Sequence, residues 1–351
     1  MYLECLARGR DNNLNLLRFV AASLVLVSHC FPLSGSSANE PLGEWLGIGA
    51  GELAVDVFFL ISGFLVCNSL ITKQDSLFFF KARLVRIFPA LWLMLLLTVF
   101  ILGPVFSNLS VSHYFLDKDV WRYLYKCSTL VSGVVYALPG VFEQNPYPIA
   151  VNGSLWTLPH ELKAYIFLWL IWWLICKFDP QHWFAKLRIV LGIVFIVLLA
   201  MFLWQLVDAQ AQKIGFGRVF MWFVMGALAS LYQDHIQIKG TIALLFVLTL
   251  VSAWMTGRVV FQFAYVFCLP YLIAYIAYVP RGFVREYNRL GDYSYGVYIY
   301  AFPIQQMLAS MYSKISAVTM MGLSFAICLF FAVCSWHLIE EKSLRILKKT
   351  L

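Results

Sequence analysis

The sequence predicts an all-α fold: a polytopic integral-membrane bundle of about ten transmembrane helices with both termini cytoplasmic. Three observations predict it. The 351 residues are 62% apolar and only 13% charged, whereas soluble domains are roughly half apolar and a quarter charged. Stretches such as 189–199 are continuously apolar rather than alternating, the helical signal and not that of an outer-membrane barrel. Lys and Arg also gather in one alternate set of loops, as the positive-inside rule requires.

A hydrocarbon core of about 30 Å needs roughly 20 apolar residues per helix. The expected spans are 14–33, 53–71, 87–106, 158–176, 189–207, 219–232, 241–256, 259–279, 293–312 and 318–339, the sixth and seventh being short. The stretch 121–142 is interrupted by Ser132, Gly133, Pro139 and Gly140, so it reads as re-entrant or surface-lying within a long outer loop. Arg8, Arg10, Arg83, Arg86, Lys186, Arg188, Arg285 and Lys342 fall on the cytoplasmic face; Lys118, Lys213, Arg218 and Arg258 are thinly spread on the other.

The first span is expected to stay as a permanent helix despite the small-residue stretch Ser36-Ser37-Ala38, because its apolar run is longer than a signal core. With no internal repeat or linker, residues 1–351 read as a single transmembrane domain with no appended soluble domain. The net charge of +8 follows from the basic loops and does not indicate nucleic acid, which would need a clustered basic face. Eight cysteines without Cys-x-x-Cys or His/Cys ligand spacing indicate neither a zinc site nor a disulfide framework, so no metal is expected. One disulfide between Cys30 and Cys127 stays open.

Polar residues inside the spans are the informative ones, since an ionisable group at a helix centre costs about 2.5–3.5 kcal/mol. Arg18 and His29 are eleven positions apart; at 100° per residue they share a face, and the rise of roughly 16 Å carries that face to about mid-membrane. Either they line a buried aqueous or substrate cavity, or Arg18 snorkels and His29 bonds a neighbouring helix. Histidine titrates near neutrality and is a natural general base. Asp56, entering from the outer side, either orients the imidazole or serves structure alone. Arg83 and Arg86 are neighbours on one helical face, suited to paired recognition of phosphate or to anchoring on lipid headgroups. Glu161 and Tyr165 stack at i and i+4 with Trp156 above them. Glu161 is a cavity carboxylate, or one half of a pair with Lys163 or His160. There is no Walker loop, Gly-x-Ser-x-Gly elbow or His-Glu-x-x-His motif. Tyr114, Trp121, Tyr123, Tyr136 and Tyr147 in the outer loop either stack on sugar rings or belong to an interface belt.

Taken in order, Leu17-Arg18 with His29, Val55-Asp56 through Ser62-Gly63-Phe64, Arg83-x-x-Arg86, Ser154 to Glu161 and Tyr165, and Ile339-Glu340-Glu341-Lys342 resemble acyltransferase family 3, integral-membrane bacterial O-acyltransferases. The likeness spans essentially the whole chain. It implies transfer of an acyl group, with acetyl expected, from acetyl-CoA as co-substrate, and no tightly bound cofactor. The implied acceptor is a hydroxyl of a surface polysaccharide or its lipid-linked precursor, and the implied location is the bacterial inner membrane, among its lipids. By position the resemblance makes His29 the catalytic base, with Arg18 and Glu161 beside it in the motif set. It assigns Arg83 and Arg86 to the coenzyme A phosphates or pantetheine arm, and leaves Asp56, Trp156 and Tyr165 as substrate-binding or structural residues. The chain departs from the pattern in having no esterase-like domain after the last span, and in Glu340-Glu341-Lys342-Ser343 where Glu-Lys-Pro is expected. A transporter of a sugar or lipid-linked sugar is the alternative class, although no inverted repeat supports it. Both direct transfer and a two-step route through an acylated His29 or Cys30 are open.

Overall fold

The computed structural model describes residues 1–9, 11–35, 40–208 and 215–349. Arg10, Lys213 and the Ser36-Ser37-Ala38 stretch lie outside the described residues. Each expected span falls on a helix: α1 Leu14–Leu33, α2 Ala50–Lys73, α3 Ser76–Leu97, α4 Thr157–Phe178, α5 Trp183–Val207, α6 Gly215–Leu231, α7 Gly240–Thr256, α8 Arg258–Tyr278, α9 Ser294–Met311 and α10 Ala317–Ser335. Helix α3 runs on through a π-helical turn, Thr98–Leu102, to Phe106. Helix α10 runs on through a second π turn, Trp336–Glu340, into the helix Glu341–Lys349. Six of these elements are long and apolar enough to cross a membrane: Leu14–Leu33, Ala50–Lys73, Ser76–Phe106, Trp183–Val207, Arg258–Tyr278 and Ala317–Leu347. Helices α6 and α7 are apolar but short. Among the described residues there are only isolated β-bridges and no strands.

The interrupted stretch in the α3–α4 connection resolves into a helix, Lys118–Thr129, that stops where Leu130 turns left-handed at φ 58°. An irregular segment follows to Asn152. Tyr114, Tyr123 and Cys127 of this connection are fully buried, so it is a packed part of the protein. In the turn between α4 and α5, Lys186 meets Asp179 at 2.6 Å. With the backbone N–H of His182 also donating to it, that ammonium holds the Asp179 carboxyl down at about 2.

The residues fall into two compact units, one of Met1–Ala21, Pro41–Ser76 and Lys163–Gly291, the other of Ala22–Glu40, Leu77–Leu162 and Asp292–Leu351. Helices α1 and α4 give one half to each. In the first unit α2 and α6 touch backbone to backbone. A Cβ on Gly63 would lie 1.9 Å from the Phe223 carbonyl oxygen, and one on Gly226 2.0 Å from that of Leu60. Small residues permit such close approach where lipid leaves packing as the main attraction.

The same two helices share a buried charge pair. Arg218 on α6 donates from Nε and Nη2 to the two carboxylate oxygens of Asp56 on α2, at 3.1 and 2.7 Å, and Tyr265 on α8 donates to Oδ2 at 3.0 Å. Asp56 is 1% exposed, and three helices meet at its carboxylate. At the start of α1, Asn13 donates to the carbonyls of Ile276 and Pro280 at the end of α8.

Alanine at Gly63 or Gly226 is expected to destabilise the detergent-solubilised chain by roughly 1–3 kcal/mol or more through overpacking. Alanine at Gly192, whose Cβ would meet nothing, should instead stabilise by about 0.5–1 kcal/mol; thermal unfolding reads both. Asp56→Asn leaves Arg218 only Glu52, 3.2 Å from its Nη1, as a charged partner and should cost roughly 1–3 kcal/mol. The double variant Asp56→Asn/Arg218→Gln should cost less than the two singles added together.

Candidate active site

The structure distributes the expected site residues between the two units. His29, Arg83, Arg86, Trp156 and Glu161 belong to the second; Arg18, Asp56 and Tyr165 belong to the first. Each group has its own geometry.

In the second unit, His29 lies four residues before the end of α1 at Leu33, about 6 Å along the axis. It therefore sits toward that helix end rather than at the middle of the span. Its ring meets Phe302 of α9 edge-on at 5.3 Å. Its Nδ1 is buried and makes no hydrogen bond among the described residues. The helical turn carrying it is fixed by Gln305, a fully buried amide whose Nε2 donates to the Leu26 carbonyl at 2.8 Å and to Cys30 Sγ at 3.0 Å. All eight cysteines are free, so Cys30 and Cys127 form no disulfide.

Arg86, on the same unit's α3, is held by acids. Its Nη2 donates to Asp292 Oδ2 at 2.6 Å, and its Nη1 lies 3.7 Å from Glu340 Oε2. Both carboxylates are buried. The Glu161 charge also bears on Arg86 and on Tyr295 and Tyr298 of α9. Tyr295 Oη donates to the Ile87 carbonyl at 3.0 Å, and Tyr298 Oη shares a 2.7 Å hydrogen bond with Thr157 at the start of α4. A polar column thus links α3, α4, α9 and the π turn after α10. Arg83 extends over the Phe79 ring at 5.4 Å. The two arginines, read together in the sequence as a matched receptor, have different surroundings. Trp156 packs edge-on against His160 at 5.7 Å.

In the first unit, the Asp56 carboxylate is already engaged by Arg218 and Tyr265 at both oxygens. That gives it an anchoring job between helices. Tyr165 shares a 2.9 Å hydrogen bond with Ser62, and Arg18 lies within electrostatic range of Tyr278. No group of three or more His, Cys, Asp or Glu suited to a metal occurs among the described residues.

Sequence reasoning missed Asp292, Tyr295, Tyr298, Gln305 and Gln306, and quoted Glu340 only as part of a terminal motif. The adjacent amides Gln305-Gln306 in an apolar helix were the available signal, because such groups need partners in lipid. Arg218 looked like a loop cation until the backbone put it opposite Asp56.

Comparison with known proteins places these features in a family. The family model described as an acyltransferase domain matches residues 11–339. An O-acetyl transferase of Shigella phage Sf6 is 30% identical over 95% of this chain and 96% of its own length. Nodulation protein 10 of Rhizobium leguminosarum bv. viciae is 32% identical over 46% of the chain and 44% of its own length. The O-acetyltransferase OatA of Staphylococcus aureus strain NCTC 8325 is 31% identical over 42% of the chain and 24% of its own length. No solved structure matches. The chain belongs to acyltransferase family 3 and is an acyltransferase of groups other than aminoacyl groups.

Proposed function

We propose that this acyltransferase is a multi-pass O-acetyltransferase of the bacterial inner membrane, with about ten crossings and both termini cytoplasmic. It moves an acetyl group from cytoplasmic acetyl-CoA to a hydroxyl of a surface polysaccharide or its lipid-linked precursor. The observation that carries the reading is His29, whose buried Nδ1 makes no hydrogen bond among the described residues and whose helical turn is locked by Gln305. An imidazole held so, with one nitrogen uncommitted, is placed to take a proton. The names of two relatives, both O-acetyl transferases, favour acetyl over longer groups.

In this mechanism the acceptor hydroxyl gives its proton to His29 as its oxygen attacks the thioester carbonyl. Backbone N–H groups stabilise the oxyanion. The carbon–sulfur bond then breaks, and the departing thiolate takes the proton back from the imidazolium. No covalent enzyme intermediate is needed; acetyl found on His29 or Cys30 in the absence of acceptor would replace this route with a two-step one. Arg83 and Arg86 meet the donor phosphates. Arg86 does so while also held by Asp292.

Mass spectrometry of surface glycans from cells carrying the intact chain, His29→Ala or an empty vector tests the reading. An acetyl-sized, base-labile increment is expected with the intact chain alone. The same glycan mass in all three cultures would turn the reading toward another acceptor or a carrier. The two arginines separate by experiment as well. Arg83→Gln should raise KM for acetyl-CoA at least about tenfold, some 1.4 kcal/mol of binding. Arg86→Gln should cost roughly 3–5 kcal/mol of stability by leaving buried carboxylates uncompensated.

A further inference from the structure

We infer that Tyr147, backed by Phe302, is the acceptor subsite: a ring platform on which a sugar lies next to His29. The role of that sugar as acetyl acceptor rests on the function proposed above; the platform itself does not.

The geometry is built from the second unit alone. Beyond His29, Gly35 approaches the segment before α4 so closely that a Cβ there would lie 2.7 Å from Pro146 Cβ. Next to Pro146, Tyr147 stands edge-on to Phe302 at 6.0 Å and 81°, and Phe302 stands edge-on to His29 at 5.3 Å. Phe302 has no room to retreat, since a Cβ on Gly153 would fall 2.6 Å from its Cε2. Three rings therefore form a fixed ladder that ends at the imidazole.

The segment bearing Tyr147 is clamped by Gln306, which is fully buried. Its Nε2 donates to the carbonyls of Tyr147 at 2.7 Å and Ala150 at 2.6 Å, and Asn145 Nδ2 donates to its side-chain and backbone oxygens, both at 2.8 Å. Despite this, Tyr147 is 45% exposed, with exposed Glu143, Gln144 and Pro148 around it. A large ring normally buries its surface. One held rigid and half-uncovered is pre-organised for a ligand, because little ordering cost remains when the ligand arrives.

The ligand chemistry follows from the surface. Tyr147 keeps nearly half of its surface exposed, and the flat apolar face of a phenol ring matches the C–H face of a pyranose. Glu143 and Gln144, exposed and three to four residues before Tyr147 in the chain, carry hydrogen-bonding groups suited to its hydroxyls. A sugar so placed stands at the far end of the ring ladder, two ring contacts of 6.0 and 5.3 Å from the His29 imidazole.

Binding of the host's surface polysaccharide, stripped of O-acetyl groups and offered without donor, is measured on the full chain in lipid nanodiscs. Tyr147→Ala should weaken binding at least about tenfold, Tyr147→Phe should stay within about threefold, and Tyr125→Ala, an exposed ring on the Lys118–Thr129 helix, should bind as the unaltered chain does. Undiminished binding by Tyr147→Ala overturns the inference. So does an equal loss with Tyr125→Ala, which would mark both as interface-belt residues, and so does an absence of binding by the unaltered chain. Tyr147-dependent binding without acetyl transfer would sink the transferase reading and leave the subsite standing. Transfer with unchanged acceptor KM in Tyr147→Ala would do the reverse.

Discussion

Arg86 lies among carboxylates that cannot be left alone, and much of the second unit is arranged to keep them together. Removing a carboxylate or a guanidinium from water costs several kcal/mol per ion, returned only when geometry and hydrogen bonding are good. Asp292 lies two residues before α9, and Glu340 is the last residue of the π turn that follows α10. Pairing both with one arginine ties the ends of two helices to the middle of α3. Tyr295 and Tyr298 rise from the same region along α9, and each finds a partner on α3 or at the start of α4. The charged centre therefore sets the rotation of α9, and that rotation points Phe302, Gln305 and Gln306 at their own partners farther along.

The first unit obeys the same rule with a different solution. Its Asp56–Arg218 pair is capped by Tyr265, while glycines at both sides of the α2–α6 contact let the backbones close. Ion pair and close packing reinforce each other. The short α6 brings Arg218 to the right level only if α2 and α6 are in register, and the glycines permit only a narrow range of registers. In lipid, where apolar side chains gain little by leaving the solvent, this combination replaces a hydrophobic core.

Helix positions were legible in the sequence because most of the helices are long apolar runs, and even the short α6 and α7 are apolar throughout. The motif residues were legible as exceptions to that apolarity: His29, Asp56, Arg86 and Glu161 all stand out in lipid. Their partners were not. Whether Arg86 faces a phosphate or two acids depends on helix rotation and on which helices are neighbours, and one sequence carries neither. The pairing of Tyr165 with Ser62 was hidden for the same reason. The π turns were also invisible, since no composition marks them.

The π turn at Trp336–Glu340 has a consequence for how the gene can vary. Such a turn is an α-helix with one residue too many, and everything after it is rotated by about 100° relative to an uninterrupted helix. Glu340 closes that turn and points to Arg86. Loss of one codon anywhere between 336 and 339 would leave every side chain of the charged group intact and restore a regular helix, yet swing the carboxylate away. The reading frame of the helix, as much as the identity of its acid, is under constraint there, and length changes should be rarer than substitutions among natural variants of this stretch.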